Sequence, residues 1–281
     1  MIIVKLWGGI GNQLFQFVFG QFLHYRYRLD VCYDSNSYIG VDRLRKGEID
    51  FLDFEIRYDN SCTFSRYRGV KNRLLRYFFQ ANPRHHFITE NNDIPSSYKS
   101  GNLYYFQGYW QNYKYYDWIK RNVSSFKIKS NLIPVELEAY RVLINKCEES
   151  VSLHVRRGDY FSPENIKVYG VCDKQYYMSA VNKINNILEH AHFFVFTDDP
   201  EWVRDNLVLD DHFTLIENYD ISQFSYIELM SLCKHHIISN SSFSWWGVVL
   251  NERKDSIVIS PERWTNINSP EMILENWIKL R

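Results

Sequence analysis

The chain opens Ile2-Ile3-Val4-Lys5-Leu6-Trp7-Gly8-Gly9-Ile10-Gly11-Asn12-Gln13-Leu14-Phe15. Residues 2–6 are a short apolar run rich in β-branched side chains, which predicts a strand. Gly8, Gly9 and Gly11 break it. Residues 14–27 are apolar and aromatic, and they run into Arg26 and Arg28, cations suited to the negative end of a helix. The order is strand, glycine-rich turn, helix. Residues 31–33 read as a second strand. Residues 34–100 are less regular, with a helix predicted near 71–79. A weak strand follows at 103–110, and 134–149 has the early proline and acids of a helix.

The alternation returns in the second half. Strands are predicted at 151–155, 192–196, 213–216, 236–238 and 256–259, with helices at 174–188, 200–206, 222–233, 242–250 and 270–280. Strands alternating with helices imply an α/β fold on parallel sheet covered on both faces. Such sheets collect ligands at the carboxyl ends of their strands. The division is placed near residue 150, giving domains 1–150 and 151–281.

With 281 residues, 45% hydrophobic and 23% charged, the chain can build a core without disulfide or metal staples. The formal net charge is zero, so no global field favours nucleic acid. One local exception is residues 66–76, a basic stretch read as a solvated face or as a contact for a membrane surface or an acidic partner. Aromatics reach 17%; they suit either a core or a surface that binds sugars or partners. Cys32, Cys62, Cys147, Cys172 and Cys233 are odd in number and scattered, which argues against a disulfide framework or a structural zinc and for a reducing compartment. No basic segment leading into a long apolar block precedes the first strand, and no membrane-length apolar run occurs. The expectation is a cytoplasmic protein.

Four motifs sit at strand-to-helix turns. In Gly8-Gly9-Ile10-Gly11-Asn12-Gln13, Gly9 and Gly11 let backbone N–H groups approach an anion, and the helix start adds positive potential. The plain alternative is a tight packing turn. In His154-Val155-Arg156-Arg157-Gly158-Asp159, strand alternation puts His154 and Arg156 on one side. An arginine fork matches phosphate oxygens, and a neutral imidazole can bond a base or ribose. The alternative there is an ion pair of Arg157 with Asp159. Asp198 and Asp199 end a buried strand; one is expected to cap the next helix and the other to meet a ligand. Ser241, Ser242 and Phe243 open the fourth helix and offer hydroxyl and N–H donors, or a simple cap. No His, Cys or Asp set has metal-ligand spacing, so no metal is expected.

Together GGIGNQLFQF, HVRRGDY, FTDDP and NSSFSWWG resemble, in order and spacing, the bacterial α-1,2-fucosyltransferases of glycosyltransferase family 11. The resemblance implies a GT-B-type fold: two Rossmann-like domains facing across a cleft. Residues 1–150 would form the acceptor side and 151–281 the GDP-fucose side, with the last helix packing back on the first domain. It implies inverting transfer of L-fucose to the 2-hydroxyl of a terminal β-galactoside, with no metal or other cofactor. Arg156 would hold the β-phosphate with Arg157 in support. His154 and Asp198 or Asp199 would contact guanosine, Ser241, Ser242 and Phe243 the phosphates, and Asn12 the donor from the other domain. Asp159 is the candidate general base, with Glu164 behind it. The implied partners are GDP-fucose and a galactose-containing oligosaccharide, without nucleic acid, and with peripheral association at the inner face of the membrane. The competing readings are a GDP-fucose transferase of another linkage, including protein O-fucosylation, and a non-catalytic GDP-sugar-binding protein.

Overall fold

The computed structural model describes residues 1–42, 45–131, 134–161, 163–207, 211–266 and 271–281, without the side chains of Asp159, Phe161, Pro163 and Glu164. Strand β1 (Ile2–Lys5) is buried along its length. Gly8 turns the chain at φ 80°, a left-handed backbone that glycine adopts without a Cβ clash. The helix Ile10–Tyr27 follows and closes on Arg28, with His24 and Arg26 in its last turn.

The first compact unit spans Met1–Asn131. Its sheet adds β2 (Val31–Asp34), β3 (His85–Thr89) and β4 (Leu103–Gln107) in the order β2-β1-β4-β3, all parallel. Aromatic rings fill both sides of it. Phe19 stacks on Trp110 at 4.1 Å, and Phe64 meets Tyr105 edge-on at 4.8 Å. Much of the aromatic excess is therefore core.

The second unit spans Leu132–Arg281. Strands β5 (Glu149–Val155), β6 (Ala191–Thr197), β7 (Phe213–Leu215), β8 (His235–Ile237), β9 (Val258–Pro261) and β10 (Ile278–Leu280) form a parallel sheet ordered β10-β9-β8-β5-β6-β7. Alternation along β6 sends Phe193 and Val195 into one core and Phe194 and Phe196 into another, so both faces are covered.

Two expectations change. The division falls near residue 131 rather than 150, because Leu137 and Ile144 are buried with Phe194, Phe196 and Met230 of the second unit. The helix expected at 270–280 does not form. Residues from Glu271 onward make turns, and Ile278–Leu280 instead pairs with β9 as an edge strand of the second unit's own sheet.

Candidate active site

Strand order in the second unit points to one crevice. From β5 the chain moves outward through β6 and β7, then returns to the other flank of β5 as β8. The carboxyl ends of β5 and β8 are thus a topological switch point, where open α/β sheets leave room for a ligand. Leu153 and Val155 turn into the core. His154 turns the other way: its Nδ1 lies 2.9 Å from Ser239 Oγ just past β8, and its ring packs 5.2 Å from that of Phe243. Burial first, and the charge of Arg156 second, push its pKa down to about 3. The imidazole is neutral and can both donate and accept.

The two arginines leave the end of β5 in different roles. Arg156 Nη1 is 2.7 Å from Asp198 Oδ2, beyond the end of β6, and its guanidinium lies over the Tyr160 ring. The Arg157 N–H donates to Asp198 Oδ1 at 2.8 Å, while its Nε donates to Asp199 Oδ2 at 3.1 Å and its guanidinium stacks 4.0 Å over Trp202. Arg157 therefore pairs with Asp199 among the described side chains. Asp199 also caps the helix Pro200–Asn206 by accepting the Trp202 N–H at 3.1 Å. The capping half of the expected Asp split is realised by Asp199, and Asp198 fastens the arginine turn. Gly158 permits this: a Cβ there would come within 2.5 Å of Asp198 Oδ2. Asp159 belongs to the short turn Gly158–Phe161; its side chain and that of Glu164 lie outside the described residues.

Ser241 caps the helix Ser242–Val249, its Oγ accepting the Phe243 N–H at 3.3 Å. Ser242 and Phe243 stay partly exposed at the helix start, while Trp245 and Trp246 are fully buried. Asn240 pins the turn by donating to Tyr169 O at 2.8 Å and Trp264 O at 3.3 Å. His154, Arg156, Asp198, Ser239, Ser241 and Phe243 are brought together. A fixed guanidinium, a neutral imidazole and a helix N-terminus have the chemistry that suits a phosphate-bearing ligand. Among the described residues, no three His, Cys, Asp or Glu side chains converge as a metal site.

In the first unit the switch point lies between β1 and β4. The Gly8 N–H donates to Asp42 Oδ2 at 2.9 Å, and Gly9 begins the helix that contains Gly11. A Cβ on Gly9 would meet Arg45 Nη1 at 2.8 Å. Gln13 is fully buried and ties Gly8 O, Lys46 O and the Glu48 N–H, so it latches loops together. Asn12 Oδ1 accepts from Gln111 Nε2 at 2.7 Å.

That contact leads to residues the sequence did not single out. Glu90, Asp93, Trp110, Gln111, Asn112 and Lys114 help line an open cavity of about 410 Å³ past the ends of β3 and β4. Trp110 holds a left-handed backbone, φ 56°, its N–H donating to Glu90 Oε1. Its buried Nε1 has no hydrogen-bond partner among the described residues. The only signal in the sequence was Gly108, needed because a Cβ there would collide with Glu90. At the ends of β1 and β2, Lys5 is buried beside Asp34, and burial lowers its pKa to about 8.

The glycosyl transferase family 11 model matches residues 71–281. The O-antigen biosynthesis glycosyltransferase WbnK of Escherichia coli is 29% identical over 97% of this chain and 98% of its own. An α-1,2-colitosyltransferase of Escherichia coli is 30% identical over 100% of this chain and 99% of its own. Among solved structures, the fucosyltransferase NodZ from Bradyrhizobium superposes with a TM-score of 0.55 at 12% identity, covering 89% of this chain and 92% of that one. A NodZ α-1,6-fucosyltransferase structure soaked with GDP-fucose gives 0.54 at 14% identity, covering 89% and 91%. The likeness to NodZ shows a common fold, the expected α/β architecture of GT-B type. With the family model spanning residues 71–281 and a relative 30% identical along the whole chain, the protein belongs to glycosyl transferase family 11.

Proposed function

We propose that the protein transfers L-fucose from GDP-fucose, with inversion, to the 2-hydroxyl of a terminal β-galactoside in a glycan. The observation that carries this is the convergence of His154, Arg156 and the Ser241–Phe243 helix start at the β5/β8 switch point. Arg156 binds the β-phosphate. A guanidinium has five donors, so Asp198 can hold one edge while another meets phosphate oxygens. Arg157, stacked on Trp202 and fixed by Asp199, orients that turn. His154 takes the nucleoside, with Asp198 or Asp199 as its partner carboxylate, and Ser242 and Phe243 face the phosphates.

Cleaving the fucose–phosphate bond leaves positive charge on the ring and negative charge on departing GDP. Fixed donors at the phosphate stabilise that charge as a metal would elsewhere, so the reaction runs without metal. Asp159 takes the proton of the acceptor hydroxyl, and Asn12, Gly9 and Gly11 bind the donor. The cavity beside Glu90 and Trp110, at the strand ends of that unit, receives the acceptor sugar. The work is done at the inner face of the membrane, with peripheral contact to it.

A second reading has GDP-colitose as donor, favoured by the colitosyltransferase relative. The test is a rate matrix with EDTA present or absent. GDP-fucose, GDP-colitose and GDP-mannose are each offered with β-galactosides and with glycans lacking galactose. GDP-fucose with β-galactosides should dominate, undiminished by EDTA. Preference for GDP-colitose moves the assignment to the second reading. Turnover lost to EDTA and restored by Mg²⁺ or Mn²⁺ refutes the metal-free mechanism.

A further inference from the structure

Between Asp59 and Glu90 the chain has no acidic residue and six cations: Arg66, Arg68, Lys71, Arg73, Arg76 and Arg84. The helix Gly69–Gln80 lies in the middle of this run, and none of its residues is buried. One face holds it to the protein. Leu75 and Phe79 pack on the cluster of Phe64, Phe87 and Tyr105, Asn72 Nδ2 donates to Phe64 O at 2.7 Å, and Arg76 lies over the Phe87 ring. The opposite face is apolar and open. Val70, Leu74, Tyr77 and Phe78 are 71%, 54%, 69% and 63% exposed. They stand at i, i+4, i+7 and i+8, a single stripe, and at about 100° per residue Lys71 and Arg73 fall on its two flanks.

An aliphatic and aromatic stripe between two cationic margins matches a surface that offers hydrocarbon and anionic headgroups in one plane. A second copy of the chain would set like charges against each other. We infer that the helix Gly69–Gln80 is the element by which the protein docks on an anionic lipid bilayer, with Leu74, Tyr77 and Phe78 in the headgroup boundary and Lys71 and Arg73 against phosphate. The inference rests on the peripheral membrane contact of the preceding reading and names what makes it. Among the described residues no helix is long and apolar enough to cross a membrane, so the contact lies in the interface plane.

The full chain is floated with vesicles of phosphatidylcholine and phosphatidylglycerol, against phosphatidylcholine alone. It should float with the anionic vesicles and be released by salt. Arg73→Gln should lower partitioning about fivefold. Leu74→Ser with Phe78→Ser should lower it roughly tenfold or more. Melting and transfer to a soluble acceptor should stay as in the wild type, which separates loss of docking from failure of the proposed reaction. The inference is overturned if the wild type stays with the soluble fraction, or if the stripe variants float as well as the wild type. It is also overturned if those substitutions instead dissolve a dimer seen by sedimentation, which would assign the stripe to a second copy.

Discussion

Asp198→Asn tests whether the carboxylate that fastens the arginine turn sets the activity of Arg156. Asp198 joins Arg156 Nη1 at 2.7 Å and the Arg157 N–H at 2.8 Å, with the Arg156 and Asp198 side chains only 21% and 27% exposed. Asparagine can still accept the backbone N–H, but it loses the charge that holds the guanidinium. A charge-assisted bond at this depth contributes about 2 kcal/mol. At ~2–4 °C per kcal/mol for a unit of this size, melting should fall by roughly 4–8 °C. Arg156 keeps its own charge and loses only its orientation. The loss of turnover should therefore reach about tenfold, short of the 10²–10³ expected when a transition-state donor is removed outright. Asp199→Asn is the comparison: asparagine caps as well as aspartate, so only the Arg157 contact weakens and both effects should be smaller. Differential scanning calorimetry, GDP titration and initial rates measure all three. Asp198→Asn melting, binding GDP and turning over like the wild type, or Asp199→Asn being the more damaged, would refute the reasoning.

Arg156→Lys keeps the charge but removes the planar fork; turnover should fall by about 10²–10³ with the melting point lowered no further than in Asp198→Asn, and near-normal kinetics would remove Arg156 from the phosphate. His154 and His236 are both held neutral, with pKa values of about 3 caused first by burial. Below pH 6.5 the unfolded chain takes up a proton at each while the folded chain does not until about pH 3, so stability falls across that window by about 1.4 kcal/mol per pH unit per histidine. His154→Asn should remove one proton's share of that slope in denaturant titrations, and an unchanged slope would contradict its neutral burial. Asp159→Asn should abolish turnover and leave GDP affinity near wild type; a parallel fall in affinity would make Asp159 a support for the arginine turn instead of the base.

The parallel architecture was legible because its central strands are short apolar runs ended by glycine or hydroxyl residues, as at Trp7-Gly8-Gly9 and Ile238-Ser239-Asn240. Edge elements were harder. β3, His85–Thr89, has only Ile88 buried, so it shows no alternation to read. The reading of residues 270–280 as a helix gave way to the pairing of Ile278–Leu280 with β9, a long-range contact that no local pattern announces. The candidate site was legible as four motifs and illegible as contacts. His154 to Ser239, Arg156 to Asp198 and Arg157 to Trp202 are long-range meetings made by the sheet. Nothing in the adjacent Asp198 and Asp199 told which would cap. Glu90 and Trp110 escaped notice because their meaning lies in a loop conformation, not in a motif.

The proposed reaction moves fucose from GDP-fucose to one hydroxyl of galactose. The most direct measurement is the NMR spectrum of the product made by the purified protein from GDP-fucose and lactose. The expected product carries a single fucose, α-linked to O2 of the galactose. Fucose at another oxygen, a β-linked product, or GDP-fucose left intact while GDP-colitose is consumed would contradict it.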